Sequence, residues 1–130
     1  MTEIWKDIKG YEGLYQVSNF GRIKNVQRMV NDWKGKRTIK EKIISLEQKK
    51  NGYLRVNLWK ENKYKRFYVH RLVAQAFLTN INDYPCVDHI NGCRNDNTLS
   101  NLRWVSYKQN AQYAKERKKL HEQRGELWGG

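Results

Sequence analysis

Asp88 and His89 stand side by side at the end of a short apolar run, Pro85-Cys86-Val87, and a polar loop from Asn91 to Ser100 follows. A carboxylate such as that of Asp88 is a hard oxygen donor of the kind that holds divalent cations. The imidazole of His89, with an ordinary pKa of about 6.5, can take a proton from water at neutral pH. Twelve residues after His89 comes Asn101, and nine further on comes Asn110. An Asp-His pair taken alone reads as a surface pair in a turn. The two asparagines at this spacing are what single it out.

The elements that must position these residues are legible around them. Asn101-Leu102-Arg103-Trp104-Val105 is a compact strand-like run. Ser106 with Gln109 three residues later is a capping-box pattern that opens a helix. Asn110 then lies on the same helical face as Tyr107 and Ala114. The unit is strand, loop, strand, helix. Neighbouring residues of a regular strand point to opposite faces, so Asp88 and His89 share a site only where the strand bends or ends, and Asn91-Gly92 supplies such a point. Upstream, Val69, Leu72, Val73, Ala76 and Phe77 follow helical spacing and predict an amphipathic helix that packs on this unit. His70 falls off that stripe and reads as a satisfied structural or phosphate-facing histidine rather than a catalytic one. Asn80 to Pro85 reads as a loop into the site, closed by the only proline.

These residues resemble the HNH, or ββα-metal, nuclease module in the version found in phage and intron-encoded homing endonucleases. Asp88 matches the acid before the first histidine, His89 that histidine, Asn101 the middle asparagine, and Asn110 the last position. Tyr68-Val69-His70-Arg71-Leu72-Val73-Ala74-Gln75-Ala76-Phe77 and Asn101 to Val105 also look like that family. The resemblance covers residues 68–113. It implies that His89 is the general base for attack on a phosphodiester and that Asn101 holds the loop and orients the histidine. It also implies that Asp88 and Asn110 bind a metal. Two oxygen donors favour a single Mg²⁺ or Mn²⁺, with water and substrate oxygens completing its shell. Cys86-x2-His89-x3-Cys93 offers soft zinc ligands, but a closed zinc site needs a fourth, and no second cysteine pair exists. Arg94 and Arg103 are weaker candidates for phosphate contact.

The N-terminal text supports the same identification. Tyr15 to Ser18 and Arg22 to Asn25 read as two short strands around an Asn19-Phe20-Gly21 turn. This stretch resembles a modular motif that precedes the nuclease unit in such proteins. Asp32 to Arg37 reads as a turn with a basic tip, Glu41 to Leu46 as a strand, and Asn51-Gly52 as a tight turn needing positive φ. In Tyr53 to Trp59, Leu54, Val56 and Leu58 point one way and Tyr53, Arg55, Asn57 and Trp59 the other. Glu61-Asn62-Lys63 then turns the chain, and Tyr64 to Tyr68 returns as partner strand.

Charge points to the partner. The chain has 26 Lys and Arg against 13 acids, a net +13. Between Arg22 and Arg66 alone there are 15 bases and 4 acids, interleaved with aromatics. A surplus this large fits a polyanion. Arg22, Lys24, Lys34, Lys36, Arg37, Arg55 and Arg66 are the candidate DNA contacts there, on a sheet whose outer face meets the duplex. Lys115 and Lys118 join them on the helix leaving the site. No apolar run approaches the roughly 20 residues of a spanning helix, and the polar start lacks a signal-peptide pattern. The cytoplasm, of a host cell for a phage protein, is the expected location.

The resulting expectation is an α+β protein with an N-terminal antiparallel β-rich region (1–66), a ββα-metal nuclease module (67–114) and a basic helical tail (115–130) whose end, Gly125 to Gly130, frays. It would cut double-stranded DNA with one metal ion, nicking as a monomer or breaking both strands as a homodimer, and leave 5′-phosphate and 3′-hydroxyl ends, as the resemblance implies. Many relatives carry a further C-terminal helical DNA-binding unit, and the chain is expected to end before one, which puts homing-type sequence specificity in doubt. The rival readings are a catalytically silent DNA-binding protein on the same scaffold and an RNA-binding module.

Overall fold

The computed structural model describes residues 2–123. The stretch Gly125 to Gly130, expected to fray, lies outside the described residues. Every strand pairing is antiparallel, in keeping with the α+β expectation. The strand-rich half, however, is divided among three small sheets rather than one. The first has the order β1-β2-β3-β6, from β1 (Trp5–Asp7), β2 (Tyr15–Ser18), β3 (Ile23–Asn25) and β6 (Lys42–Ile43). Its expected turn is present: the Gly21 amide donates to the Ser18 carbonyl at 3.0 Å, and Gly21 has φ +84°.

The second sheet is a lone hairpin of β4 (Arg28–Asp32) and β5 (Gly35–Ile39). Only Trp33 and Lys34 form its tip, so the basic turn expected over 32–37 is shorter, with Lys36 and Arg37 inside β5. The strand expected over 41–46 pairs only at Lys42 and Ile43, because Ile44 and Leu46 turn inward against the core. The third sheet has the order β7-β8-β9, from β7 (Glu47–Gln48), β8 (Leu54–Lys60) and β9 (Lys63–Tyr68). Glu61 and Asn62 link β8 to β9 with φ 53° and 63°, the two left-handed residues of a tight hairpin. Gly52 has φ 94°, as the Asn51-Gly52 pair required.

Helix α1 (Val69–Phe77) runs directly out of β9 and lies at the centre of the molecule. Val69, Leu72, Val73 and Ala74 are buried with Val17 and Ile23 of the first sheet, Val56 and Leu58 of the third, and Val87 and Leu102 beyond. Burying each of the larger aliphatic side chains contributes about 1.5–3 kcal/mol. This single cluster spans both sides of the boundary drawn at residue 66, and the Trp59 amide also donates to Tyr15 Oη at 3.1 Å. The N-terminal region and the nuclease-like unit are therefore built on shared apolar surface. The remaining strands, β10 (Cys86–His89) and β11 (Leu102–Val105), form a hairpin in which Asp88 opposes Arg103 and His89 opposes Leu102. A 3₁₀ turn (Leu99–Asn101) precedes β11, and α2 (Tyr107–Gln123) follows it. Ser106 Oγ accepts from the Gln109 amide at 3.1 Å and Gln109 Oε1 from the Ser106 amide at 3.0 Å, the reciprocal cap the sequence indicated. Among the described residues no helix is long and apolar enough to cross a membrane.

Candidate active site

His89 is the last residue of β10 and is almost entirely buried. Its Nε2 lies 2.8 Å from Asn97 Oδ1. An amide oxygen can only accept, so Nε2 carries the proton and Nδ1 keeps the lone pair. Burial pushes the His89 pKa below its ordinary value. The hydrogen bond to Asn97 and the nearby Asp88 and Asp96 carboxylates offset part of that. The ring is therefore neutral at pH 7, with Nδ1 able to accept a proton.

Of the two roles expected for Asn101, its side chain takes the first, holding the loop, and makes no hydrogen bond to the His89 ring. Its Oδ1 accepts from the Asn91 amide at 2.9 Å, and its Nδ2 donates to Asn91 Oδ1 and to the Asp96 carbonyl, each at 2.9 Å. Asn101 thus ties the loop's two ends together. Orientation of the histidine passes instead to Asn97, which sequence reasoning missed. Asn97 sits in a loop that also holds Asn91, Asn95 and Asn101, and nothing in its spacing distinguished it.

Asp88 turns away from these groups toward β11 and α2, as the alternation of a strand requires. Its carboxylate accepts from Arg103 Nε at 2.9 Å and from Arg117 Nη2 at 2.8 and 2.9 Å. Arg117 Nη2 also donates to the His89 carbonyl at 2.7 Å. Its side chain crosses the bare backbone of Gly92, where a Cβ would meet Arg117 Cδ at 3.0 Å. The guanidinium of Arg103 lies 3.8 Å from the Tyr113 ring centroid. No residue of α2 is buried, so polar and cation–π contacts of this kind hold the helix against the hairpin. Arg117 follows Asn110 by two helical turns and so shares its face of α2, but nothing in the sequence paired it with Asp88. Arg103, a weak candidate for phosphate contact, is committed to Asp88 instead.

Asn110 is exposed on α2 and lines a cleft of about 300 Å³ with Tyr53, Tyr68, His70, Arg71 and Cys86. A stack of rings runs from the cleft toward His89. Tyr53 stacks on His70 at 5.3 Å, and His70 lies 4.9 Å from His89. Arg94 caps the stack, 4.8 Å from the Tyr53 centroid, and Nη1 donates to the Asn51 carbonyl at 3.0 Å. His70, expected off the apolar stripe, is buried, because Tyr53 and Tyr68 cover the side of α1 that the core does not. Cys86 is half-buried and Cys93 exposed, both as free thiols. Among the described residues no three His, Cys, Asp or Glu side chains gather as a metal site.

The basic candidates divide into two groups. Arg22 pairs with Glu3, Lys24 with Glu41 at 2.6 Å, Arg37 with Asp32 at 2.8 Å and Arg55 with Glu47 at 2.5 Å, so a phosphate must compete with an acid there. Lys34 lies 4.9 Å from the Trp33 ring centroid and Arg66 5.9 Å from that of Tyr64. Lys36, Lys115 and Lys118 are exposed.

The N-terminal turn reaches the same loop. The Leu99 amide donates to the Asn19 carbonyl at 2.8 Å, and Gly21 packs so closely on Asn97 that a Cβ would lie 2.9 Å from its carbonyl oxygen.

Comparison with known proteins gives this arrangement its family. Residues 3–59 match the NUMOD4 motif, and residues 67–112 match the HNH endonuclease family. The chain is 44% identical over 108 residues to DNA endonuclease I-HmuI of Bacillus phage SP01, covering 83% of this chain and 55% of that protein. It is 35% identical over 114 residues to the uncharacterized HNH endonuclease L245 of Acanthamoeba polyphaga mimivirus, covering 88% of this chain and 30% of that one. A solved structure of DNA binding and cleavage by the HNH homing endonuclease I-HmuI superposes with a TM-score of 0.70 at 38% identity. That match covers 96% of this chain and 61% of the other. The chain thus spans only part of the length of these relatives. With a NUMOD4 motif and an HNH unit in succession, joined by one core, the chain belongs to the HNH endonuclease family.

Proposed function

We propose that this protein is a divalent-metal-dependent DNA endonuclease that hydrolyses phosphodiester bonds, with His89 as general base. The observation that carries the reading is His89 itself. It is buried, kept neutral, and fixed through Nε2 by Asn97 so that Nδ1 is the free base. I-HmuI, a DNA endonuclease, is the relative whose likeness supports DNA as the substrate.

The donor set suits a hard cation. Asp88 would supply a carboxylate and Asn110 an amide oxygen, the kind of donors that one Mg²⁺ or Mn²⁺ keeping most of its water would use. When bound, such an ion supplies charge neutralisation at the phosphate and at the departing oxygen. The chain's own residues do the rest. His89 Nδ1 accepts the proton of the attacking water, while Asn97 holds the ring against rotation. Asn101 keeps the loop between Asn91 and Asp96 closed beneath it. Arg103 and Arg117 hold the Asp88 carboxylate in the free protein, so a cation there would compete with two guanidiniums for its oxygens. The DNA contacts we assign are Lys34, Lys36, Arg66, Lys115 and Lys118 first, with Arg22, Lys24, Arg37 and Arg55 available once phosphate displaces their acids.

One site per chain cuts one strand, so a monomer nicks the duplex and a homodimer breaks both strands. The residue divisions 1–66, 67–114 and 115–130 then stand for DNA contact, cleavage and backbone tracking. The setting would be the cytoplasm of a phage-infected host. A second reading, a DNA-binding protein that does not cut, is favoured by the two guanidiniums on Asp88, which leave that site with a net positive charge.

The test is conversion of supercoiled plasmid with Mg²⁺, with Mn²⁺, with EDTA, and by His89→Ala. Nicked product that is lost in EDTA and falls by roughly 10²- to 10⁴-fold in the variant is the expected outcome. Binding without cutting under both metals would establish the second reading instead.

A further inference from the structure

His70 is the second residue of α1 and retains only 7% of its exposure, yet neither of its ring nitrogens makes a hydrogen bond among the described residues. Nδ1 is entirely enclosed without a partner. The rings of Tyr53, Tyr68 and His89 surround it at 5.3, 5.6 and 4.9 Å. Burial, with His89 and Arg71 nearby, lowers its pKa to about 3. The imidazole is therefore neutral, with one N–H to donate and one lone pair to accept. One such group, Nδ1, left unsatisfied in a protein interior costs roughly 1–3 kcal/mol, while Nε2 is not enclosed in the same way. A phenylalanine would fill the same ring stack without that cost. Buried polar groups without partners in a folded protein call for an explanation.

The cleft supplies one. His70 and Arg71 of α1 line it together with Asn110 of α2. Its volume of about 300 Å³ suits a sugar–phosphate unit and is too small for a base pair. Arg71 brings a guanidinium to the cleft, and its Nη1 donates to the Pro85 carbonyl at 2.9 Å.

We propose that His70 is a further catalytic residue, one that contacts substrate: its ring N–H donates to a non-bridging oxygen of a DNA phosphate seated in the cleft between α1 and α2. This rests on the endonuclease reading above and deepens it by giving the substrate backbone a definite neutral donor. The histidine's polar capacity, unused in the free protein, is used when DNA arrives. No bond is made or broken by His70 itself.

The two roles predict opposite signs, which makes them separable. If His70 serves the fold, His70→Phe lowers the melting temperature. If its nitrogens are kept for substrate, His70→Phe leaves the melting temperature unchanged or raises it, because an unpaired buried group has been removed. The same variant should then bind duplex DNA in EDTA roughly tenfold more weakly and lose about ten- to a hundredfold in kcat/KM. His70→Gln, which keeps a side-chain N–H, should recover part of both. The binding arm in EDTA needs no cleavage, so it reads this proposal even where wild type proves unable to cut. DNA affinity of His70→Phe equal to wild type overturns the proposal. Should His70→Phe fail to fold, a folded His70→Gln that binds and cuts like wild type overturns it only if His70→Ala does so too, and a defect in His70→Ala that His70→Gln repairs upholds it.

Discussion

Arg117 Nη2 donates to both oxygens of Asp88, at 2.8 and 2.9 Å, from a helix that begins eighteen residues after that carboxylate's strand ends. A long, nearly unburied helix is thereby fastened to the β10–β11 hairpin at its metal-ligand candidate. The fastening is electrostatic, so charge arriving at the site can undo it.

Arg117→Gln should therefore bind Mn²⁺ more tightly than wild type in the absence of DNA. Charge-assisted hydrogen bonds of this kind are worth about 1.5–3 kcal/mol, so a rise of roughly ten- to a hundredfold in affinity is expected. Calorimetric titration measures it. Equal affinities would mean that Arg117 leaves Asp88 free in solution.

The pH profile of cleavage should carry the imprint of Asn97. As the proposed base, His89 would act in its unprotonated form, and burial holds its pKa below 6.5. The acid limb of log kcat against pH should accordingly lie below 6.5. Asn97 raises that pKa through its hydrogen bond, so Asn97→Ala should move the limb lower still while the plateau falls roughly ten- to a hundredfold, as for a lost supporting residue. A limb that moves upward in the variant would contradict the assigned contact.

Gly21→Ala probes the link between the N-terminal turn and the loop that carries Asn97. The glycine has φ +84°, and the added Cβ would sit 2.9 Å from the Asn97 carbonyl oxygen. A loss of about 1–3 kcal/mol in stability is expected from strain and overlap together. Denaturant titration gives that number, and cleavage assayed well below the melting temperature should fall as well. Full activity at native stability would show that the turn gives way without disturbing His89.

Stability should also depend on pH with a definite sign. His70 and His89 both have folded pKa values below their ordinary value of 6.5, about 3 in the case of His70. The unfolded chain then binds more protons than the folded one between those limits. Stability is complete above pH 6.5 and falls as pH drops toward 3. Asp96, whose pKa is also lowered in the folded chain, adds to the loss at the acid end. His70→Phe should flatten the decline between pH 6.5 and 4.5, measured by urea unfolding. An unchanged slope would place the His70 pKa near its ordinary value.

Much of this protein was written in local sequence. The Ser106/Gln109 cap, the Gly21 and Gly52 turns, the alternation of Val56 and Leu58 and the apolar stripe of α1 each depend on residues a few positions apart, which periodicity and turn chemistry can read. The spacing of Asp88, His89, Asn101 and Asn110 was equally visible, and it named the family. Tertiary structure alone decided which asparagine holds the histidine, because Asn97 and Asn101 have the same side chain and only loop closure sends one to His89 and the other to Asn91. It alone gave Arg117 to Asp88, set four of the basic candidates against acids, and enclosed His70 between rings from β9 and the turn before β8. Some of these meetings, such as Arg117 with Asp88, join residues far apart in sequence, and others, such as Asn97 with His89, depend on how a loop closes; both are governed by how the hairpins, α1 and α2 pack, and local pattern carries no record of them.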